Sequence, residues 1–364
     1  MLTIDLRMLN HSGIGTYLQN LVPVVINNLR DIEICMLGNK EQLEKLAIDN
    51  LTTIDNIKIV AMDSPIYSIK EQKELLEKIP KQTKLFWSPH FNIPIFYRGK
   101  LLVTIHDVFH LVMKEHIGGI HKQLYAKLMF KAIKNRASSI ICVSEFTKQE
   151  LINHNGSGKQ KIVAIHNGIN KNWLEVIKSD SLKEEDPFLL YVGNVKPHKN
   201  LSTLINAFNL IKDEIPHNLI IIGKKEGFLT GDSKIFDEVQ KTNGRVKFTG
   251  FIEQDTLEQY YANADCLVFP SLYEGFGFPP LEAMATGCPV ISSNAASLPE
   301  VCEDAVVYIN PLDSDDIASK IVKTLGDNKL REEIVIKGKK QAKKFTWDNC
   351  AKETINVIKE VVNQ

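Results

Sequence analysis

Two α/β domains, each a parallel sheet covered by helices and the two facing each other across a cleft, form the fold class this sequence predicts. Three observations carry that expectation. At 364 residues the chain exceeds one ordinary core, since domains run to roughly 100–200 residues. Short β-branched runs alternate with longer amphipathic stretches along nearly its whole length, the pattern of parallel strands joined by crossover helices. The series then starts afresh after the polar stretch in "IHNGINKNWLEVIKSDSLKEEDPF", which places the seam near residue 170 and divides the chain into domains 1–170 and 171–345.

Charge argues against one broad class of partner. Lys+Arg and Asp+Glu both number 44, so no global field favours nucleic acid, and none is expected. The halves differ, however: residues 1–170 carry 21 basic and 15 acidic residues, leaving 23 against 29 for residues 171–364. That N-terminal bias suits an acceptor or membrane surface that is anionic. Six cysteines at 35, 142, 266, 288, 302 and 350 form no C-x-x-C pair, which indicates reduced thiols and neither a disulfide framework nor a zinc site. The start "MLTIDLRMLNHSG" has no charged-then-apolar leader, and no apolar run reaches the roughly 18 residues of a membrane span. The expectation is a cytoplasmic protein with room for peripheral contact at the inner face of a membrane.

In chain order, the first strand leads into Gly13-x-Gly15 of "RMLNHSGIGTYLQNL", read as a strand-to-helix turn; no third glycine completes a dinucleotide fingerprint. "IEICML", "IKIVAM", "KLFWSP", "LLVTIHD" and "SSIICVSE" read as buried strands, with segments long enough for helices between several of them. "LLVTIHDVFHL" sets His106 and Asp107 at a strand's carboxyl end, where open α/β sheets hold ligands; an ordinary strand-end histidine is the alternative. Residues 114–138 carry six Lys or Arg against one Glu, interleaved with Leu124, Tyr125, Leu128, Met129, Phe130 and Ile133. Two readings stay open there, an interfacial helix docking on anionic lipid and a core helix with a basic outer face. "NGSGKQ" at 155–160 lacks the Ser/Thr and the earlier glycine of a phosphate loop and reads as a surface turn.

The second half supplies strands "FLLYVGN", "NLIIIGK", "RVKFTG", "DCLVFPS", "CPVISS" and "AVVYIN". Its densest motif is "SLYEGFGFPPLEAMATGCPVI", residues 271–291, with Glu274 and Glu282 eight positions apart. The strand "DCLVFPS" delivers Glu274 to the mouth of the domain. Gly275 and Gly277 free the backbone to approach a ligand, Pro279 and Pro280 preset φ for a helix start, and Gly287 ends the helix. Glu282 then falls in the helix's first turn, beside N–H groups suited to a diphosphate. A carboxylate next to an anion site needs neutral donors, and sugar hydroxyls meet that need. The plainer alternative leaves Glu274 solvated and Glu282 favoured electrostatically by the helix terminus.

This motif resembles the E-x7-E signature of the retaining family-4 glycosyltransferases, and the resemblance extends over essentially the whole chain. It implies the GT-B fold of two facing Rossmann-like domains, with the last helix, residues 346–364, crossing back onto the first. It implies that Glu274 contacts the donor sugar, that Glu282 binds the nucleotide ribose, and that Gly275, Phe276, Gly277 and Phe278 line the donor. Within "YVGNVKPHKNLSTLINAF", Lys199 matches the lysine that neutralises the donor diphosphate. Gly193, Asn194 and His198 lie beside it, and Asn194 and His198 stand where many relatives carry arginine, so Lys196 or a protonated His198 is left as the second cation. Gly15 corresponds to a loop covering the donor phosphates, and His106 to a histidine set against the donor sugar. Phe251 and Ile252 correspond to the segment contacting the base, with Phe251 alternatively in the core. "HNGIN", residues 166–170, resembles the family's hinge but has Asn170 where aspartate is frequent.

The resemblance therefore implies a hexosyltransferase that moves a hexose from a nucleotide-sugar donor to a saccharide or lipid-linked acceptor hydroxyl, and the resemblance alone implies retention. GDP-mannose is the expected donor, because the "RMLNHSGIGTY" and "YVGNVKPHKNL" openings are similar to those of polysaccharide mannosyltransferases. No cofactor and no metal are expected, since no D-x-D ends a strand and Lys199 with helix N-termini could supply the positive potential. The rivals are a sugar-nucleotide epimerase of the same fold, a glycosidase, and a non-catalytic sugar-nucleotide-binding protein. Lys199 and the phosphate-suited helix terminus argue against the glycosidase, which would have no nucleotide site.

Overall fold

The structure is a computed structural model that describes residues 1–52, 55–116, 119–179, 182, 186–223 and 233–364. The chain forms two compact units, Met1–Gly168 together with Thr346–Gln364, and Ile169–Phe345.

The first unit runs β1 (Leu2–Asp5), α1 (Ser12–Asn27), β2 (Ile34–Gly38), α2 (Lys40–Asn50), β3 (Ile57–Ala61), α3 (Ile69–Lys78), β4 (Leu85–Ser88), β5 (Leu101–Ile105), α4 (Phe109–Val112), α5 (Ile120–Arg136), β6 (Ser139–Cys142), α6 (Glu145–Asn155) and β7 (Lys161–Ala164). Its sheet has the order β3-β2-β1-β4-β5-β6-β7, and every pairing is parallel. Parallel sheets bury both faces, and β1, β2, β4, β5 and β6 are accordingly buried at every residue. The chain's last helix, α15 (Trp347–Asn363), packs on α1, with the Trp347 and Tyr17 rings 6.1 Å apart. Gly168 makes that return possible: a Cβ there would lie 2.1 Å from the Trp347 backbone nitrogen. A side chain at this point of "HNGIN" would push the two strands of chain apart.

The second unit runs α7 (Asn172–Glu175), β8 (Phe188–Val192), α8 (Leu201–Ile211), β9 (Asn218–Ile222), α9 (Ser233–Gln240), β10 (Val246–Gly250), α10 (Gln254–Asn263), β11 (Cys266–Phe269), α11 (Phe278–Thr286), β12 (Val290–Ser293), α12 (Leu298–Cys302), β13 (Val307–Ile309), α13 (Ser314–Gly326) and α14 (Asn328–Ala342). Its strands lie in the order β10-β9-β8-β11-β12-β13 and pair in parallel. The apolar face of α8, through Leu204, Ile205 and Phe208, packs with Ile221, Val268 and Ile291 in one core.

In both sheets the chain builds outward from one strand and then returns to its other side. The strand order therefore reverses between β1 and β4 in the first unit and between β8 and β11 in the second. Loops leaving those neighbouring strands diverge, and the crevice between them at the carboxyl ends is where doubly wound sheets take ligands.

Candidate active site

At the β8/β11 reversal, the loop after β8 carries Lys196 to a short 3-10 turn, Pro197–Lys199. Asn200 follows with φ 58°, a left-handed conformation that asparagine tolerates better than most residues. Its side-chain amide donates to the carbonyls of Pro270 at 3.1 Å and Pro311 at 2.5 Å. The neighbouring loop is bound to the same turn, since the Leu272 N–H donates to the His198 carbonyl at 2.8 Å. These ties fix Lys199, whose Nζ donates to Glu274 Oε1 at 2.5 Å. Both side chains of this pair are largely withdrawn from water, and Nζ also lies 5.7 Å from the Phe269 ring centroid.

The Glu274 loop is held from behind. Ser297 Oγ donates to the carbonyls of Glu274 at 3.0 Å and Phe276 at 2.8 Å. Gly277 adopts φ 110° at the N-cap of α11, and a Cβ there would meet Leu298 at 2.7 Å. The left-handed backbone is what favours glycine here, and a Cβ would in addition have to displace the Leu298 methyl. Gly287 closes α11 at φ 85°.

Two details differ from the sequence expectation. Glu282 is the fifth residue of α11, in the second turn and not the first-turn position expected of it, because the helix begins at Phe278 ahead of both prolines. Pro279 and Pro280 carry no N–H, so first-turn donors are fewer than an average helix offers. Seated deeper, Glu282 Oε2 accepts a hydrogen bond from Tyr261 Oη at 2.9 Å. Burial pushes its carboxyl up to about 7, against the Tyr261 bond and with the Glu258 charge adding to the rise. Tyr261 on α10 is braced by the Trp173 ring 5.5 Å away. The sequence reading did not identify this tyrosine; its partner lies 21 residues on, with no motif linking them.

The rim beside Lys199 is made of backbone. Gly193 ends β8, and its N–H donates to Ile222 O at 2.9 Å; the Gly223 N–H donates to Gly250 O at 3.1 Å. A Cβ on Gly223 would stand 2.1 Å from the Gly193 carbonyl. Asn194 follows directly, its carbonyl accepting from Lys196 N–H at 2.9 Å. After β10, Phe251 is 70% exposed, which removes its alternative assignment to the core; Ile252 is partly buried.

In the first unit, His106 ends β5 and its Nε2 donates to the Pro89 carbonyl at 2.9 Å. Burial lowers its pKa to about 4 against that bond and the nearby Asp107 charge, so the ring is neutral at pH 7. The Tyr17 ring packs edge-on at 4.8 Å. Gly15 is placed differently from its expectation as a turn residue: α1 starts at Ser12, so both glycines are helical. A Cβ on Gly15 would meet the Leu9 carbonyl at 2.7 Å, and it is this approach of the preceding loop that demands glycine.

At the β1/β4 reversal lies a buried polar cluster that the sequence reading missed. Arg7 clasps Asp5 through Nε at 2.8 Å and NH2 at 2.6 Å, and its NH1 donates to Glu71 Oε2 at 2.7 Å. His90 Nε2 lies 3.2 Å from Asp5 Oδ2. Asn92 Nδ2 donates to Glu71 Oε1 at 2.8 Å, and the Tyr125 hydroxyl contacts Asn92 Oδ1 and Glu71 Oε1. Burial alone would raise the Asp5 carboxyl, but Arg7 and His90 hold it well below the usual carboxylate range. Buried charges persist only when paired in this way.

Among the described residues no group of three or more His, Cys, Asp or Glu is placed to hold a metal ion, and no helix is long and apolar enough to cross a membrane. On α5 the apolar residues divide. Met129, Phe130 and Ile133 are buried, while Ile120, Leu124 and Leu128, at successive helical turns, are 75%, 59% and 53% exposed beside exposed Lys122, Lys127 and Lys131.

Comparison with known proteins fixes what this geometry belongs to. Residues 175–341 match the family described as Glycosyl transferases group 1, and residues 82–173 match Glycosyltransferase Family 4. Over 290 residues the chain is 31% identical to O-antigen chain mannosyltransferase B of Escherichia coli, covering 76% of this chain and 74% of the relative. The chain belongs to the family-4, group 1 glycosyltransferases. This glycosyltransferase is also 27% identical to the O-antigen chain mannosyltransferase RfbU of Salmonella typhimurium, over 87% of this chain and 89% of that one. Its fold matches that of sucrose-phosphate synthase from Thermosynechococcus elongatus with a TM-score of 0.76 at 20% identity, covering 99% and 98% of the two chains. Two Rossmann-like parallel sheets of seven and six strands are thus the GT-B fold.

Proposed function

We propose that this glycosyltransferase moves mannose from GDP-mannose to a hydroxyl of a saccharide or lipid-linked acceptor, with retention and without a metal ion, in the assembly of a surface polysaccharide. The observation that carries the reading is the Lys199–Glu274 pair at 2.5 Å on the β8/β11 reversal, with Glu282 on the helix that follows. The two mannosyltransferase relatives support the choice of sugar.

In this reading a diphosphate competes with Glu274 for Lys199. Once the phosphates hold the ammonium, Glu274 turns to the sugar hydroxyls, and Glu282 accepts from the ribose. The bond from the anomeric carbon to the phosphate oxygen breaks while the bond to the acceptor oxygen forms on the same face. Negative charge gathers on the departing diphosphate, where Lys199 stabilises it as a metal would elsewhere. The acceptor proton passes to that same phosphate oxygen. His106 is neutral with its Nε2 proton committed to Pro89, which suits hydroxyl recognition through Nδ1 rather than proton storage. The lysines and exposed apolar stripe of α5 support contact with anionic lipid, which would bring a lipid-linked acceptor to the first unit.

Calorimetry with GDP and UDP in the presence of EDTA tests the donor assignment. GDP is expected to bind at least tenfold more tightly than UDP. A preference for UDP overturns mannose as the sugar, and binding of neither nucleotide without metal overturns the Lys199 assignment.

A further inference from the structure

Tyr67 lies in the loop between β3 and α3, outside every assignment made above. Its φ is 66°, a region that residues with a Cβ seldom occupy, yet the side chain there is a phenol that is 50% exposed. The ring is seated with care. It stacks on Phe91 at 6.0 Å and 25°, Phe91 stacks in turn on buried Phe130 at 5.4 Å and 7°, and Tyr125 meets Tyr67 edge-on at 5.8 Å. The Tyr125 hydroxyl is anchored in the Glu71–Asn92–Arg7 cluster, so the platform stands on a rigid base.

The loop after β5 reaches the same platform, since the His110 ring lies 5.3 Å from Phe91, and that loop holds Asp107, whose Oδ1 accepts the Phe109 N–H at 2.9 Å. Tyr67, Phe91 and Asp107 follow β3, β4 and β5, so three loops converge at the carboxyl edge of the first sheet, the ligand edge of such sheets. A half-open aromatic face next to an immobilised carboxylate is the chemistry that holds a sugar ring: apolar C–H groups lie on the ring while hydroxyls donate to the carboxylate.

We propose that Tyr67 and Asp107 form a saccharide subsite of the first unit, which takes a sugar ring of the acceptor by stacking on Tyr67. The proposal rests on the glycosyl-transfer reading and adds to it where the acceptor is read. It also accounts for a phenol in a left-handed position that glycine would fill with less strain.

Saturation-transfer NMR with α-linked mannotriose, alongside transfer from radiolabelled GDP-mannose to the same trisaccharide, tests it. The wild-type protein is expected to transfer saturation to the sugar C–H protons; Tyr67→Phe keeps that signal. Tyr67→Ala loses it and raises the acceptor KM at least tenfold, with kcat and GDP affinity within twofold. Tyr67→Gly, which relieves the left-handed backbone, is expected to lose binding equally with its circular dichroism unchanged, which separates a ligand role from a structural one. An unchanged acceptor KM and saturation signal in Tyr67→Ala overturns the subsite, as does a wild type that gives no saturation transfer to mannotriose or maltotriose. A protein that binds saccharide through Tyr67 but transfers from no nucleotide sugar keeps the subsite and defeats the mannosyl-transfer reading.

Discussion

Glu282 and His106 are two partly buried titratable groups whose shifts run in opposite senses, and each has a pH consequence. For Glu282 the folded pKa, about 7, is raised above the ordinary carboxylate value of 4.5. Its protonated form is therefore favoured in the fold, and the associated stability is full at pH 4.5 and lost as pH rises through 7. For His106 the folded value, about 4, lies below 6.5, so that stability is full above pH 6.5 and lost as pH falls through 4. If Glu282 accepts from ribose hydroxyls, its charged form is the one that binds, and GDP affinity should rise between pH 6 and 8. Glu282→Gln should flatten that profile, and Glu282→Ala should weaken binding by about 1–3 kcal/mol, the range for a lost buried hydrogen-bond partner. Glu274→Ala should instead abolish transfer and leave nucleotide affinity within a few-fold. Calorimetry across pH and a transfer assay check both; a flat wild-type profile would remove Glu282 from the ribose. At this scale the sequence named Glu274, Glu282 and Lys199 because they share local motifs. It missed Tyr261, Asp5, Arg7, Glu71 and Asn92, since pairs such as Arg7–Glu71 are 64 residues apart and no local spacing records them.

Elements explain why the motif glycines differ in kind. Gly277 and Gly287 are the caps of α11 and were legible as turn punctuation, whereas Gly15 and Gly168 serve close approach by backbone that arrives from elsewhere. Gly223 belongs to the second kind. Gly223→Ala forces a Cβ against the Gly193 carbonyl, and overpacking of backbone costs about 1–3 kcal/mol. Urea unfolding should show a loss of that size for the variant, together with weaker GDP binding, because the rim beside Lys199 must spread. Retention of both wild-type values would mean that the β8/β9 edge is softer than its spacing implies. The helices show the same division. The strand runs were readable from composition because parallel strands bury both faces, while the start of α11 could be misplaced by two residues because proline is tolerated in a first helical turn.

For the molecule as a whole, α5 is the element whose two faces serve different surroundings. Its inner residues complete the first unit's core, and its outer stripe of Ile120, Leu124 and Leu128 joins lysines 122, 127 and 131 on the surface. The core-helix reading describes the inner face, and the exposed basic face is what the proposed lipid contact rests on. Replacing Lys122, Lys127, Lys131 and Lys134 by glutamine should reduce sedimentation with phosphatidylglycerol vesicles and leave neutral vesicles unaffected. Equal binding by the variant would return the helix to a purely structural role. The amino-acid sequence by itself determined the class of fold, where most of its strands fall along the chain and the donor-side motif, because periodicity and glycine–proline punctuation act over a few residues. Only the tertiary structure decided that β1/β4 gathers a buried charge cluster, that Tyr261 grips Glu282, and that Tyr67, Phe91 and Asp107 meet. Those contacts join residues from separate strand ends and helices, and the folded sheet with its covering helices is what brings such distant positions together.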